Sequence, residues 1–415
     1  MLNQIMLLEF KIMVRYSKKE LIEFENRIVY KYKENKLPFL FHLCGGNEEQ
    51  LIKIFNHIND GDYVFVTHRN HYHAYLHGID PDIVLDKVSN GRSMFLYDRE
   101  KNFFSSAIVG GIPEIAAGVA LALKYKGSDK KVWCFIGDGA EDTGHFYTAV
   151  RYVESNNLPC QFIIEDNDIS IEASKEDRWG SNFLFNWPQC VKRYKYTLKY
   201  PHARIEEFCD LSIASKYKKT DQEYFPKLKK YPTVQNSVKV SSELSFNEAV
   251  TKAMTALGEK EDTIFLGYNV GSKFGNAMGN FKYIDDKKKI ETPVAENLMS
   301  SLGMGLSMEG FRPIVYFERH DFMMVAMDSL VNHVSQIDRI SHSEFKAPVI
   351  FRTVVADEGP FYSGPTHSQN FTEMFKNILS FPVLEPETPE EVLKYYEYAY
   401  NADFPVMIVE KKSRF

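Results

Sequence analysis

Nothing in the 415-residue chain is apolar for long enough to cross a membrane as a helix, which sets aside helical membrane proteins. Cysteine is sparse. The five residues, Cys44, Cys134, Cys160, Cys190 and Cys209, form no CxxC pair and share no histidine spacing, so neither a zinc module nor a disulfide scaffold is indicated. They read as reduced, mostly buried thiols of a cytoplasmic protein. Positive charge is not in excess: 50 Lys and Arg face 56 Asp and Glu, for a net charge of −6. That balance offers no footing for nucleic acid, and the lysines at 287–289 and around Lys229 read as solvated surface. Met1–Val14 is broken by Asn3, Gln4, Glu9 and Lys11 and lacks a basic opening and a small-residue cleavage site, so no secretion signal is expected. Internal repeats and low-complexity runs are missing too, which sets aside solenoids.

What is present is a globular composition, 44% hydrophobic and 26% charged, with length enough for two or three domains. The most informative stretch runs from Gly137 to Asn167. Val132–Ile136 is a short apolar run that stops at Gly137-Asp138-Gly139, as a buried parallel strand would. Glu141–Ser155 places Phe146, Val150 and Val153 on one helical face. Gln161–Glu165 is a second apolar strand that returns Asn167 to the same sheet edge. Ligands of open α/β sheets sit beyond the carboxyl ends of strands, so Asp138 and Asn167 are expected to converge there. The glycines allow close backbone approach, and a helix starting near Ala140 offers N–H groups to a phosphate. A carboxylate with an amide carbonyl suits Mg²⁺ or Ca²⁺ bridging a diphosphate. A Gly-Asp-Gly by itself is far more often a plain turn.

Residues 1–185 form one α/β region, with a helical candidate at Gly110–Lys126. Residues 186–243, rich in Tyr, Lys and Pro, read as a helical connector and linker. From 244 to 415 strand-like runs at Thr263–Leu266, Pro313–Phe317, Pro348–Val355 and Pro405–Val409 alternate with helical candidates near Phe246–Leu257, Glu296–Glu309, Phe322–Ile340 and Pro389–Tyr400. The expected fold is therefore α/β, with two tandem doubly wound parallel sheets.

Gly137-Asp138-Gly139 followed after about thirty residues by Asn167 resembles the thiamine diphosphate fingerprint. The likeness is broad. Residues 38–170, through FHLCGGNEE, DYVFVTHRNHYHAYLHG and DREKNFFSSAIVGG, resemble the alpha subunit of the decarboxylating first component of 2-oxo acid dehydrogenase complexes. Residues 244–410, through TPVAEN, GFRPIVYF, HDFMMVAMD and GPTHSQ, resemble the matching beta subunit. Transketolase and deoxyxylulose phosphate synthase share this two-domain core more distantly.

The resemblance implies thiamine diphosphate and Mg²⁺ (or Ca²⁺), with Asp138, Asn167 and the carbonyl of Ile169 as metal ligands. Gly137, Gly139 and Ala140 line the phosphates, and His68 and Arg69 flank the diphosphate, Arg69 as the charge-assisted donor. Glu296 hydrogen-bonds the aminopyrimidine and favours the tautomer that activates the thiazolium carbon as an ylid. Phe322 packs on the pyrimidine, and Val294 and Val109 touch the same ring. His367 faces the reacting carbon as a proton donor, while His42 and His71 line the substrate channel. Read without the resemblance, Glu296 is a helix-start glutamate complementing the dipole, and the dense histidines are polar loop residues.

Departures shape the expected activity. Asp166 stands where the family often has a first Asn, Ile169 where it often has Tyr, Gly267-Tyr268-Asn269-Val270 replaces Gly-Glu-Asp-Val, and Phe95 replaces a His. The family's C-terminal domain and the histidine-bearing loop near the lipoyl substrate are not recognisable. These are parts associated with docking to a lipoyl acyltransferase core, so a free-standing enzyme is expected. Its substrate would be a 2-oxo acid, decarboxylated, or a ketose, cleaved, with the acyl-anion equivalent passed to a proton or an aldehyde. Lipoamide-linked dehydrogenation is the alternative, and a non-catalytic scaffold the alternative of another class. A homodimer or dimer of dimers, with sites across the interface, is implied. Specificity would lie in loops around His42, Tyr72, Tyr268 and Tyr362.

Overall fold

Two strand sets, whose central strands are apolar and buried on both faces, organise the chain. The computed structural model describes residues 16–33, 42–170, 173–200, 225–229, 231–232, 234, 243–271, 279–358 and 364–415. Cys209, Tyr362 and most of the expected connector lie outside the described residues.

The first sheet has six strands in the order Tyr97–Asp98, Phe103–Ser105, Tyr63–Val66, Val132–Gly137, Cys160–Asp166, Val191–Lys195. All neighbours are parallel except the first pair. Val132–Gly137 holds its central place because Val132, Trp133, Cys134, Phe135 and Ile136 are all buried, as a strand covered by helices on both sides must be. The second sheet, also of six strands, runs Lys289–Glu291, Thr263–Gly267, Arg312–Phe317, Ile350–Val355, Val406–Lys411, Val383–Leu384 and is parallel throughout.

Three expectations are corrected. Val191–Lys195 is a strand of the first sheet, so that domain extends beyond residue 185 and the connector is not helical there. The helix expected over Glu141–Ser155 is two pieces, Asp138–Glu141 and Gly144–Ser155. Thr143 breaks it: its backbone is extended, and its hydroxyl accepts from Phe146 N at 3.3 Å as a new N-cap. The run Phe322–Ile340 is not one α-helix. It is a 3₁₀ segment at His320–Ala326, a π segment at Asp328–Val334 and a short turn at Ile337–Ile340. Here the Ser329 N–H leaves the helical ladder for Asn297 Oδ1 at 3.0 Å, an insertion of the kind that widens helices.

The domains meet where the Ile112–Tyr125 helix crosses the Glu296–Met308 helix. A Cβ on Gly305 would lie 2.4 Å from the Ile115 carbonyl oxygen, and one on Gly118 2.7 Å from that of Leu302. Only glycine permits backbones to approach so closely. Every residue of Glu296–Met308 is buried, so the helix is shared core rather than a surface element.

Candidate functional site

The carboxyl ends of the first sheet open on a cleft. Thr67, His68 and Arg69 follow Tyr63–Val66, Asp138 follows the Val132–Ile136 run, Asn167 follows Cys160–Asp166, and Tyr196 follows Val191–Lys195. Four neighbouring parallel strands thus deliver their next residues to one place, as doubly wound topology requires. A larger cleft beside Phe55, Gly61 and Lys101 lies at the amino ends of the same strands and brings together no comparable donor set.

Asp138 is 1% exposed, and burial pushes its pKa up against the pull of Lys175. Its Oδ2 is 3.2 Å from Lys175 Nζ and 3.1 Å from Arg178 Nη2. Lys175 also pairs with Asp166 Oδ1, while Arg193 Nη1 takes Asp166 Oδ2 at 2.7 Å. Burial raises the Asp166 carboxyl, but the hydrogen bonds from Lys175 and Arg193 outweigh it and its pKa falls. Arg193 reaches Glu141 as well, whose Oε1 accepts from Trp187 Nε1 at 2.6 Å. The result is a sheet edge laced by three cations and several carboxylates.

The turn after Asp166 is self-supporting. Asp168 holds φ +68, and Ile169 N donates to Asn167 Oδ1 at 2.9 Å, an Asx turn that fixes the carbonyls of this segment. Asn167 Nδ2 donates to the Tyr196 hydroxyl at 3.2 Å. A Cβ on Gly137 would meet nothing within 4 Å, so that face is open to a ligand. On Gly139 it would strike Ser170 Oγ at 2.2 Å, so there packing alone demands glycine. Carboxylate, amide carbonyl and backbone carbonyl make an all-oxygen set, which fits a hard cation carrying a diphosphate. Arg69 Nη1 is anchored on the Leu43 carbonyl at 2.8 Å.

The histidines divide. The ring of His42 lies 4.4 Å from that of His68, at the cleft. His71, expected to line the substrate channel, is fully buried instead, with Nδ1 3.1 Å from Glu25 Oε1 and Nε2 2.9 Å from Ser93 Oγ. His73 reaches Glu165 Oε1 at 3.2 Å, where Asn47 Nδ2 also donates at 3.1 Å and the Tyr194 hydroxyl closes the cluster.

The second sheet carries a matching set at its own carboxyl ends. Glu296 is the first residue of its helix, 6% exposed, and burial raises its pKa. Tyr268 stands beside it. Burial and then the Glu296 charge push the buried Tyr268 phenol up, against the backbone N–H of Glu318, which lowers it. Phe322 lies 6.4 Å from the Tyr268 ring and 5.2 Å, edge-on, from His367. Thr366 Oγ1 sits 2.9 Å from His367 Nδ1. A buried acid beside a phenol and an aromatic face fits a nitrogen heterocycle.

Among the described residues, the cleft at Asp138 is lined by the first domain alone. Val109, Ile169 and Val294 are 49%, 43% and 74% exposed. Sequence reasoning missed the cations around Asp138 and the Glu165 cluster. The capping box Ser174-Lys175-Glu176-Asp177 marks the start of the short helix bearing Lys175 and Arg178 but not its place beside Asp138.

Residues 16–183 match the family described as Dehydrogenase E1 component, and residues 242–415 match Transketolase, pyrimidine binding domain. The alpha subunit of the acetoin:2,6-dichlorophenolindophenol oxidoreductase of Cupriavidus necator is 30% identical over 164 residues, 37% of this chain and 49% of that one. The beta subunit of the Bacillus subtilis 2-oxoisovalerate dehydrogenase is 27% identical over 175 residues, 41% of this chain and 53% of that one. The chain therefore spans about half the length of the curated relatives it matches. Among solved structures, transketolase from Campylobacter jejuni superposes with a TM-score of 0.63 at 14% identity, over 95% of this chain and 78% of that one, a likeness of fold.

Proposed function

Because the chain joins an alpha-type dehydrogenase E1 component domain to a transketolase-type pyrimidine-binding domain, and so belongs with thiamine diphosphate-dependent enzymes, we propose that it cleaves or forms a carbon–carbon bond beside a carbonyl. The substrate is a 2-oxo acid, decarboxylated, or a ketose, cleaved, and the acceptor is a proton or an aldehyde. The observation that carries this reading is the buried carboxyl of Glu296 beside Tyr268, at strand ends equivalent to those that present Asp138 and Asn167.

When bound, thiamine diphosphate supplies an electron sink next to the carbonyl carbon. Asp138, Asn167 and the Ile169 carbonyl would hold the metal ion, and His68 and Arg69 would flank the diphosphate, Arg69 as its charge-assisted donor. Glu296, whose pKa burial raises, would hydrogen-bond the pyrimidine nitrogen and hold the proton there. Phe322 packs on that ring with Val294 and Val109, and His367 delivers a proton to the reacting substrate. His42, beside His68, faces the substrate entrance.

A second copy completes each site. The exposure of Val109 and Val294, together with a cleft lined by first-domain residues alone, supports a homodimer in which one chain's Asp138 half meets the partner's Glu296 half. The buried thiols Cys44, Cys134 and Cys160 suit a reducing compartment such as the cytoplasm. Acyl transfer to lipoamide is the second reading, favoured by relatives that are subunits of a 2-oxo acid dehydrogenase. Calorimetry of thiamine diphosphate with and without Mg²⁺ tests the site: binding that ignores the metal ion sinks the reading. Product analysis with 2-oxo acids and ketose phosphates, with aldehyde or lipoamide as acceptor, separates the two reactions. Sedimentation of the cofactor-bound chain as a monomer would overturn the shared site.

A further inference from the structure

We propose that Lys175 and Arg178 make the cation site at Asp138 selective for a small ion that takes single carboxylate oxygens, Mg²⁺ or Mn²⁺, over Ca²⁺. The inference rests on the cofactor reading above and concerns what that reading leaves open, which ion the site accepts.

The two divalent ions make different demands. Ca²⁺ gathers about six to eight oxygens at roughly 2.3–2.6 Å and often takes a carboxylate through both oxygens. Mg²⁺ needs only single oxygens in an octahedron at about 2.0–2.1 Å, with waters filling the remainder. Carboxylates able to turn both oxygens toward the ion therefore favour Ca²⁺.

Here they are not free to do so. Asp138 Oδ2 already receives the Lys175 ammonium at 3.2 Å and the Arg178 guanidinium at 3.1 Å, and the side chain is 1% exposed. Two-oxygen coordination by Asp138 would strip both donors and set a divalent charge against two fixed cations. Asp166, the next carboxylate along the edge, is closed as well: Lys175 takes its Oδ1 and Arg193 its Oδ2 at 2.7 Å. Neither cation can swing away. Lys175 is 6% exposed, is held by Asp166 and Asp138, and lies 3.6 Å from Asp168 Oδ1. Arg178 is tied to Asp142 Oδ2 at 2.9 Å and to the Ala173 carbonyl at 2.6 Å. The capping box of Ser174 and Asp177 fixes the start of the helix that carries both. The cations thus limit what Asp138 and Asp166 can offer an ion, leaving one oxygen of Asp138 beside the carbonyls of Asn167 and Ile169.

The test uses the full chain with thiamine diphosphate, following Mn²⁺ binding by electron paramagnetic resonance and displacing it with Mg²⁺ or Ca²⁺. In the wild type Mg²⁺ should displace Mn²⁺ at least about tenfold more effectively than Ca²⁺. In Lys175→Met and in Arg178→Gln that ratio should fall by roughly tenfold, through tighter Ca²⁺, while Mn²⁺ still binds; Lys175→Arg should keep the wild-type ratio. Should Lys175→Met fail to fold by circular dichroism, Arg178→Gln, in the more exposed position, decides alone. An unchanged ratio in the folded variants, or a wild type that prefers Ca²⁺, overturns the proposal. Absence of Mn²⁺ uptake by the wild type with cofactor would be a different failure, that of the cofactor reading itself.

Discussion

The Asn297 side-chain amide donates to Glu114 Oε2 at 2.7 Å, joining the two domains through a carboxylate that is 2% exposed. Asn297 Oδ1 meanwhile accepts Ser329 N at 3.0 Å, so one amide organises the domain boundary and the widened helix beside it. Replacing it with Leu leaves a buried charge and a buried N–H short of partners. Asn297→Leu should cost about 2–3 kcal/mol in urea unfolding, and Glu114→Gln, which keeps an acceptor, clearly less. Equal losses would mean that shape rather than the charged hydrogen bond matters.

His145 lies 3.7 Å from Glu114 and is partly open to solvent. The nearby Glu114 carboxylate, opposed by burial, raises its pKa above the ordinary 6.5. A raised histidine stabilises the fold fully below the unfolded value and loses that contribution as pH climbs through the folded value. Thermal stability of the wild type should therefore decline from about pH 6.5 upward more steeply than that of His145→Gln. Parallel pH profiles for the two proteins would remove this pair from the account.

At the helix crossing, Gly305→Ala places a methyl 2.4 Å from the Ile115 carbonyl oxygen, where backbone must move. The substitution should cost more than about 3 kcal/mol or abolish folding. Gly144→Ala, at a helix start with nothing within 4 Å of the new methyl, should be nearly neutral. Differential scanning calorimetry of both variants checks the contrast.

Much of this architecture is legible in the order of the amino acids alone. Val132–Ile136 stops at its glycines in the sequence and in the sheet, because an apolar run with no alternation reads as a strand buried on both faces. Asp138 and Asn167 converge for the same topological reason. The misreadings share a cause in polar side chains that act on distant backbone. Thr143 recaps a helix that periodicity runs through, and Asn297 pulls at residue 329 from another element. His71 carries the family pattern, yet its burial depends on Glu25 and Ser93, which sequence spacing does not connect to it. Lys175 is not legible as a neighbour of Asp138 because the turn that brings it back depends on the Asx turn at Asn167 and the bend at Asp168.

In the proposed function, Glu296 sets stability against activity. Burial raises its pKa, so its ionised form is disfavoured in the fold, and the destabilisation is present above the folded pKa and relieved as pH falls through it. Glu296→Gln removes the charge without changing the shape. The variant should melt higher than wild type at pH 7.5, with the difference shrinking toward the carboxylate range. It should also lose hydrogen–deuterium exchange at the reactive carbon of bound thiamine diphosphate by about two orders of magnitude or more, while still binding the cofactor. Fast exchange in Glu296→Gln would strip Glu296 of the activating role. A lower melting point would instead show that the carboxylate is held by favourable contacts, contrary to its burial beside the Tyr268 phenol.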